Sequence, residues 1–314
     1  MRSFLRPVLL ALLTAAAATQ ADAQGPQSSA PSTAPAPATL RAARVQGEMR
    51  IDGRLDEAAW QQAQPATEFT QSYPQAGAAP TYRTEARVLY DDEAVYVGVR
   101  MLDPHPDSIA APLARRDATG LYSDFVHVMI DSRHDHRSGF RFTVNPRGVQ
   151  RDVYHFDDQN EDGSWDAVWT VATQIDSAGW TAEYRIPLSQ LRFGGDAADA
   201  RTWGFQVMRD VARRGERASW SPWTRNTPGF VSSFGTMTGL EGVRAPRALE
   251  ILPYASARVT RAPGSAADPF YSETEPGMDV GADLRLGLPQ GFTLSATINP
   301  DFGQVEADPA EVNL

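Results

Sequence analysis

The sequence predicts an all-β protein: an antiparallel β-sandwich over residues 45–242, followed from residue 247 to 314 by the first strands of an incomplete β-barrel. Three observations carry this reading. Short runs of alternating apolar and polar residues recur along the chain, the period-2 pattern of half-buried strands. Gly, Asp and Pro clusters separate these runs at close spacing, as in sandwiches. After about residue 247 the runs lengthen to about ten residues with one wholly apolar face, the pattern of barrel strands.

Arg2 and Arg6 precede the apolar stretch Val8 to Ala18, and Ala21-Asp22-Ala23 supplies an A-x-A cleavage signature before Gln24. Residues 1–23 therefore predict a secretory signal peptide, so the chain is expected to be exported. The apolar stretch is too short for a spanning helix, and no later run approaches the roughly 18 apolar residues that one needs. Residues 24–44 open as Pro, Ala, Ser and Thr, a composition that cannot bury a core and predicts a tether.

Within the sandwich, Glu85 to Tyr90 alternates, Asp91-Asp92-Glu93 turns, and Val95, Val97 and Val99 share one side. Phe125 to Ile130 is a dense apolar run. Phe140, Phe142 and Val144 alternate with Arg141, Thr143 and Asn145. Trp165, Ala167, Trp169 and Val171 alternate again, and Trp180, Ala182, Tyr184 and Ile186 follow the Asp176–Gly179 turn. Trp203 to Val211 is a further strand. Helix is minor: Asp56 is placed to cap a turn carrying Ala58, Ala59 and Trp60, with Leu55 just before it, and Pro187 to Leu191 is a second turn. Trp60, Trp165, Trp169, Trp180 and Trp203 lie on alternating positions and read as core.

Beyond residue 247, Val280, Ala282, Leu284, Leu286 and Leu288 alternate with polar residues and glycines. After Pro289-Gln290-Gly291, so do Phe292, Leu294, Ala296 and Ile298. Leu249 to Arg261 is similar. Three such strands cannot close a barrel, since the smallest bacterial ones have about eight. Ending at Leu314, the chain is expected to be a fragment of a longer one.

Composition excludes several chemistries. Every one of the 29 basic residues is Arg, which removes Schiff-base and Lys-dependent phosphate sites. A net charge of −10 argues against a nucleic-acid partner. The absence of cysteine removes disulfides, zinc thiolates and cysteine nucleophiles. No G-x-S-x-G, Walker loop or H-E-x-x-H occurs.

Asp158-Gln159-Asn160-Glu161-Asp162-Gly163 fits D-x-[DN]-x-[DN]-G, with Asp166 at the ninth position. Asp158, Asn160, Asp162 and Asp166 thus form a candidate calcium set. Trp169 stands where an EF-hand needs its bidentate Glu, so the alternative is an acidic, solvated hairpin. His134-Asp135-His136 lacks helical i,i+4 spacing and reads as a turn. His127 alternates with Phe125 and Met129, which places it on a sheet face or in the core.

Ile51-Asp52-Gly53-Arg54-Leu55-Asp56-Glu57-Ala58-Ala59-Trp60, Ala86 to Asp92 leading into Val95-Tyr96-Val97, Ser123-Asp124-Phe125 to Asp131 and Phe142-Thr143-Val144-Asn145-Pro146 resemble a family 9 carbohydrate-binding module, as does Gly179-Trp180-Thr181-Ala182-Glu183. Arg115-Arg116-Asp117, Gly148 to Asp152, Ser164 to Trp169, Ile186-Pro187 to Phe193 and Asn299 to Asp308 are similar to a bacterial envelope family. In that family this module precedes a domain of unknown function thought to form an outer-membrane barrel. The resemblance implies a non-catalytic carbohydrate binder, specific for glycan ends, in the periplasm or at the outer membrane. It also implies association with calcium, and membrane contact only through a full-length barrel.

Modules of this family hold sugars between aromatic faces. Here the aromatic residues nearest the expected platforms are Tyr122 on one side and Trp220 and Trp223 on the other. Arg115, Arg116, Asp117 and Asp124 bracket the same cleft, with Arg141, Asn145 and Arg209 on strands beside it. Arg forks hold vicinal hydroxyls or carboxylates; the alternative is an ion-pair network on the sheet. Two other functions stay open. One is glycoside hydrolysis in carbohydrate catabolism, by a carboxylate pair that the sequence does not single out. The other is a haem module with His127 and Met129 or Met208 as axial ligands.

Overall fold

The computed structural model describes residues 38–194, 201–244, 249–261, 274–287 and 293–299. The expected signal peptide and residues 24–37 of the expected tether lie outside them, as do Leu288 to Phe292 and the Pro300–Asp308 part of the envelope-family motif.

The fold is all-β, as the alternation predicts. The sandwich strands are β1 (Thr39–Arg41), β2 (Ala43–Arg44), β3 (Thr70–Tyr73), β4 (Thr84–Tyr90), β5 (Ala94–Leu102), β6 (Phe125–Asp131) and β7 (Gly139–Val144). They continue with β8 (Gln150–Phe156), β9 (Asn160–Asp162), β10 (Thr170–Asp176), β11 (Gly179–Pro187), β12 (Arg201–Val211), β13 (Glu216–Ser219) and β14 (Gly235–Leu240). One sheet has the order β1-β14-β12-β6-β7-β8-β9, with β13 and β3 added beside β12; the other has the order β10-β11-β5-β4-β2. Pairing is antiparallel except for β1 on β14 and β2 on β4. Strand pairing therefore begins at Thr39, inside the stretch expected to be a tether. Leu40 and Ala42 are buried, and the chain crosses from one sheet to the other between them and Arg44.

The two sheets share one apolar core that includes Val97, Val128, Phe142, Trp169, Trp180, Trp203 and Phe205. A second cluster lies on the opposite side of β5, where Ala94 and Tyr96 meet Ala59, Trp60, Ala63 and Leu89. β5 is thus covered on both faces, which explains its continuous Val-rich text. Gly98 admits this cover: a Cβ there would sit 2.7 Å from Leu55 Cδ2 and 3.1 Å from the Trp60 ring. Trp60 lies on a 3-10 turn, Ala58–Gln62, preceded by Glu57 with no side-chain cap, so the expected Asp56 cap does not form. Leu188–Gln190 is the second expected turn.

The remaining strands are β15 (Leu249–Arg261), β16 (Thr274–Gly287) and β17 (Thr293–Ile298), a separate antiparallel sheet in that order. Its register aligns Ile251 with Leu284 and Ala255 with Val280. It also aligns Leu284 with Ala296, Ala282 with Ile298 and Leu286 with Leu294. Since side chains alternate, one face of this sheet is apolar except at its Arg261–Thr274 end. Asp279, Gly281 and Asp283 fall on the other.

Candidate functional site

Strand parity determines which side chains reach the outer face of the larger sheet. Val126, Val128 and Ile130 of β6 enter the core, so Phe125, His127 and Met129 face outward. Arg141 and Thr143 of β7 do the same against Phe140, Phe142 and Val144. On β12, Phe205 and Val207 are core, which turns Met208 and Asp210 outward. One end of this face is covered where Met129 and Met208 pack with Val231 and Phe234, backed by Trp223 and Phe230. Elsewhere the face forms a cavity of about 230 Å³ lined by Phe125, His127, Arg141, Thr143, Asp210 and Arg217. Leu121, Val149, Gln150, Arg151 and Glu161 are also among its lining residues.

The polar groups are held in fixed orientations. Arg217, directly across from Asp210 on β13, donates Nε to Oδ1 at 2.5 Å and Nη2 to Oδ2 at 2.6 Å. His127 Nε2 lies 3.1 Å from Asp210 Oδ2, and its Nδ1 lies 2.9 Å from Thr143 Oγ1. Burial alone would raise the Asp210 pKa, but Arg217 and His127 hold it well below the usual carboxylate range. Burial brings the His127 pKa down to about 4 against the opposing pull of Asp210, so the imidazole is neutral at pH 7. Arg141 donates Nη2 to Glu161 Oε2 at 2.7 Å, while its buried Nε has no partner. Partial burial pushes the Glu161 pKa up, but Arg141 holds it below the ordinary value.

Of the sequence-predicted binding residues, Arg141 lines this cavity, and exposed Tyr122 follows Leu121 in the segment that forms one wall. Arg116 reaches the neighbouring Gln150 at 2.8 Å. It also donates to Asp152 Oδ1 and Oδ2, both at 2.7 Å, with Asp117 3.6 Å from its Nε. Asp117 accepts the backbone N–H of Asp152. Arg115 is exposed.

Others are brought elsewhere. Arg209 points to the core side of β12 and donates to the carbonyls of Arg83 and Leu102; burial lowers its pKa to about 10. Asn145 is fully buried, accepting from Arg147 N and Val149 N and donating to Pro112 O, so it shapes a turn. Asp124 is fully buried and accepts the Ala212 N–H. Trp220 packs in the core edge-on to Phe205, and Trp223 packs on Phe230. Sequence reasoning missed His127, Asp210, Arg217 and Glu161 as a group.

The acidic loop does not gather its four residues into one cradle. Asp158 Oδ1 accepts from the N–H groups of Phe230 and Ser232, both at 2.9 Å, and its Oδ2 accepts from Ser232 Oγ. Asp162 turns back to Ser164, and Asp166 lies 3.3 Å from Arg116. Asn160 is in β9, opposite Phe156. For the haem alternative, both ring nitrogens of His127 are engaged, and Met129 and Met208 lie under Val231 and Phe234.

Residues 51–240 match the family described as carbohydrate family 9 binding domain-like, and residues 245–314 match a domain of unknown function, DUF5916. No curated protein matches the chain. Among solved structures, it is similar to a carbohydrate binding module family 9 from Caldicellulosiruptor kristjanssonii in complex with cellotriose, at 20% identity over 64% of this chain and 93% of that one, TM-score 0.45. The module from the same organism in complex with glucose is also similar, at 20% identity over 63% and 94%, TM-score 0.42.

Proposed function

The chain belongs to the carbohydrate family 9 binding domain-like family, and we propose that it binds the end of a glycan, without catalysis, in the cavity between Arg141, Glu161, Asp210 and Arg217. The observation that carries this reading is the cavity itself. It sets Arg forks and carboxylates, which suit vicinal hydroxyls, beside the aromatic Phe125. Exposed Tyr122 on the adjoining segment supplies an apolar face for a sugar ring.

The cavity carboxylates favour binding over hydrolysis. A glycosidase acid must be protonated near neutral pH, which requires a raised pKa. Asp210 and Glu161, the two carboxylates that line the cavity, are both shifted downward. Binding is tested on a glycan array and by calorimetry with the best hit, alongside a reducing-sugar assay. Glu161→Gln and Arg141→Ala should weaken binding without lowering the melting temperature by more than a few degrees. Sugar release, or unchanged affinity in both variants, would overturn the assignment.

We also infer that the protein is exported to the bacterial envelope and that β15 to β17 belong to an outer-membrane barrel. The leader pattern before Gln24 supports the first. The continuous apolar face of the three-stranded sheet supports the second, with Ile251, Val259, Met278, Val280, Leu294 and Ile298 exposed on it. In hydrocarbon an open sheet edge leaves unpaired backbone groups, so only a closed barrel spans a membrane. Protease protection in outer-membrane vesicles distinguishes an inserted sheet from a soluble one.

A further inference from the structure

We propose that Asp131, His134 and His136, in the β6–β7 hairpin, form a binding site for a late first-row divalent cation, zinc above all. Each offers one ligand atom, and these atoms all lie within 4.8 Å of one another. None of the three lines the sugar cavity.

The turn itself assembles the group. β6 ends at Asp131, whose buried carboxylate accepts the N–H of His136 at 2.9 Å and of Asp135 at 3.3 Å. His134 and His136 both adopt left-handed backbone, φ 52° and 57°, and their rings come together at 4.4 Å between centroids. Asp135, the acidic residue that lies between them in sequence, is not part of the group. Its carboxylate is taken by Arg137 N, Ser138 N and Ser138 Oγ.

A second observation points to a ligand. His134 Nδ1 is shut off from solvent and has no hydrogen-bond partner. A buried imidazole nitrogen without a partner is costly, and a metal ion satisfies it. Asp131 keeps ligating capacity, because each carboxylate oxygen can accept more than one bond.

The donor set selects the cation. Two imidazole nitrogens and one carboxylate oxygen suit zinc, which takes three protein ligands and leaves a fourth position for water. Calcium and magnesium prefer sites made wholly of oxygen. Ligands bound to zinc at about 2.0–2.2 Å stand roughly 3.3 Å apart in a tetrahedron. The observed spacing of up to 4.8 Å would have to contract to that value on binding.

The experiment uses the untagged full-length chain, stripped with chelator. Zinc chloride is titrated by calorimetry, and cobalt chloride serves as an optical reporter of coordination number. The expected result is one zinc equivalent, four-coordinate cobalt bands, a raised melting temperature and no competition from calcium. His134→Asn and His136→Asn keep a residue that tolerates left-handed backbone. Each should weaken zinc binding by more than about tenfold, since even second-sphere partners of a metal contribute that much. Both variants should keep the wild-type melting temperature in chelator, which separates ligand loss from misfolding. No saturable binding, or equal zinc affinity in the double variant, would overturn the site.

Discussion

Trp60 donates its indole N–H to Glu183 Oε1 at 3.2 Å, while the other oxygen of the same carboxylate accepts the backbone N–H groups of Asp52 and Gly53, each at 2.9 Å. One buried side chain on β11 therefore anchors the whole Ile51–Trp60 segment against the smaller sheet. Glu183→Ala would leave three donors without an acceptor, those of Gly53 and Trp60 buried and that of Asp52 partly so. Each buried unsatisfied group costs about 1–3 kcal/mol, so a loss of about 3 kcal/mol is expected. Glu183→Gln keeps one acceptor oxygen and should lose less. Urea midpoints at constant slope measure both; an unchanged midpoint for Glu183→Ala would show that the anchor contributes nothing.

Strand identity was legible in the sequence because one face of each strand is buried, and burial writes a period of two. The same rule explains the error at Arg209. Val207 and Val211 flank it at that period, so Arg209 had to share their inward face, and its neighbour Asp210 had to face out. Strand parity overrides the suitability of an arginine fork for sugar hydroxyls at this position. Other features had no local signal. Arg217 meets Asp210 only because β13 folds back on β12, and Glu161 meets Arg141 only through β8 and β9. The acidic loop matched a calcium pattern in sequence, but its first carboxylate is spent on a turn more than seventy residues downstream. His134 and His136 do lie in a turn; the sequence carries no signal that Asp131, by accepting the backbone N–H groups of Asp135 and His136, comes within 4.8 Å of both imidazoles.

The Asp210–Arg217 pair leads to a second prediction. Arg217→Ala leaves the Asp210 carboxylate desolvated with only His127 beside it. Removing one partner of a buried pair typically costs about 3–5 kcal/mol, and a loss near the lower end is expected because the cavity admits some water. Arg217→Lys keeps the charge but loses the two parallel hydrogen bonds, so it should recover stability only in part. Glycan affinity should fall in both variants. Full rescue by lysine would show that charge alone, and not the fork, matters here.

Stability should fall on mild acidification. Burial lowers the pKa of His127 to about 4, and burial together with Arg141 lowers that of His155 to about 3, from an ordinary value of 6.5. The unfolded chain therefore takes up protons on these imidazoles before the folded one does. Stability is full above about pH 6.5 and declines as pH falls toward 4, by up to about 1.4 kcal/mol per pH unit for each histidine. Urea midpoints between pH 7.5 and 4.5 test this. His127→Gln should flatten the slope; a variant with the wild-type slope would assign the acid sensitivity to other groups.

The last prediction concerns the acidic loop. Asp158 binds the 229–232 turn through three hydrogen bonds, and that turn carries Phe230 and Val231 onto the outer sheet face. Gly229 closes the arrangement: at φ 81°, a Cβ there would lie 2.2 Å from Asp158 Oδ2 and from Ser232 Oγ. Asp158→Ala and Gly229→Ala should therefore share a phenotype, in which the turn lifts and Trp223, packed on Phe230, becomes more exposed. A red shift in tryptophan emission and a melting point several degrees lower are expected for both. The carboxylate here serves the turn, so the drop for Asp158→Ala should be the same in millimolar calcium and in chelator. A drop seen only with calcium present would instead mean that Asp158 leaves Ser232 to ligate the ion, and that Asn160, Asp162 and Asp166 close around it.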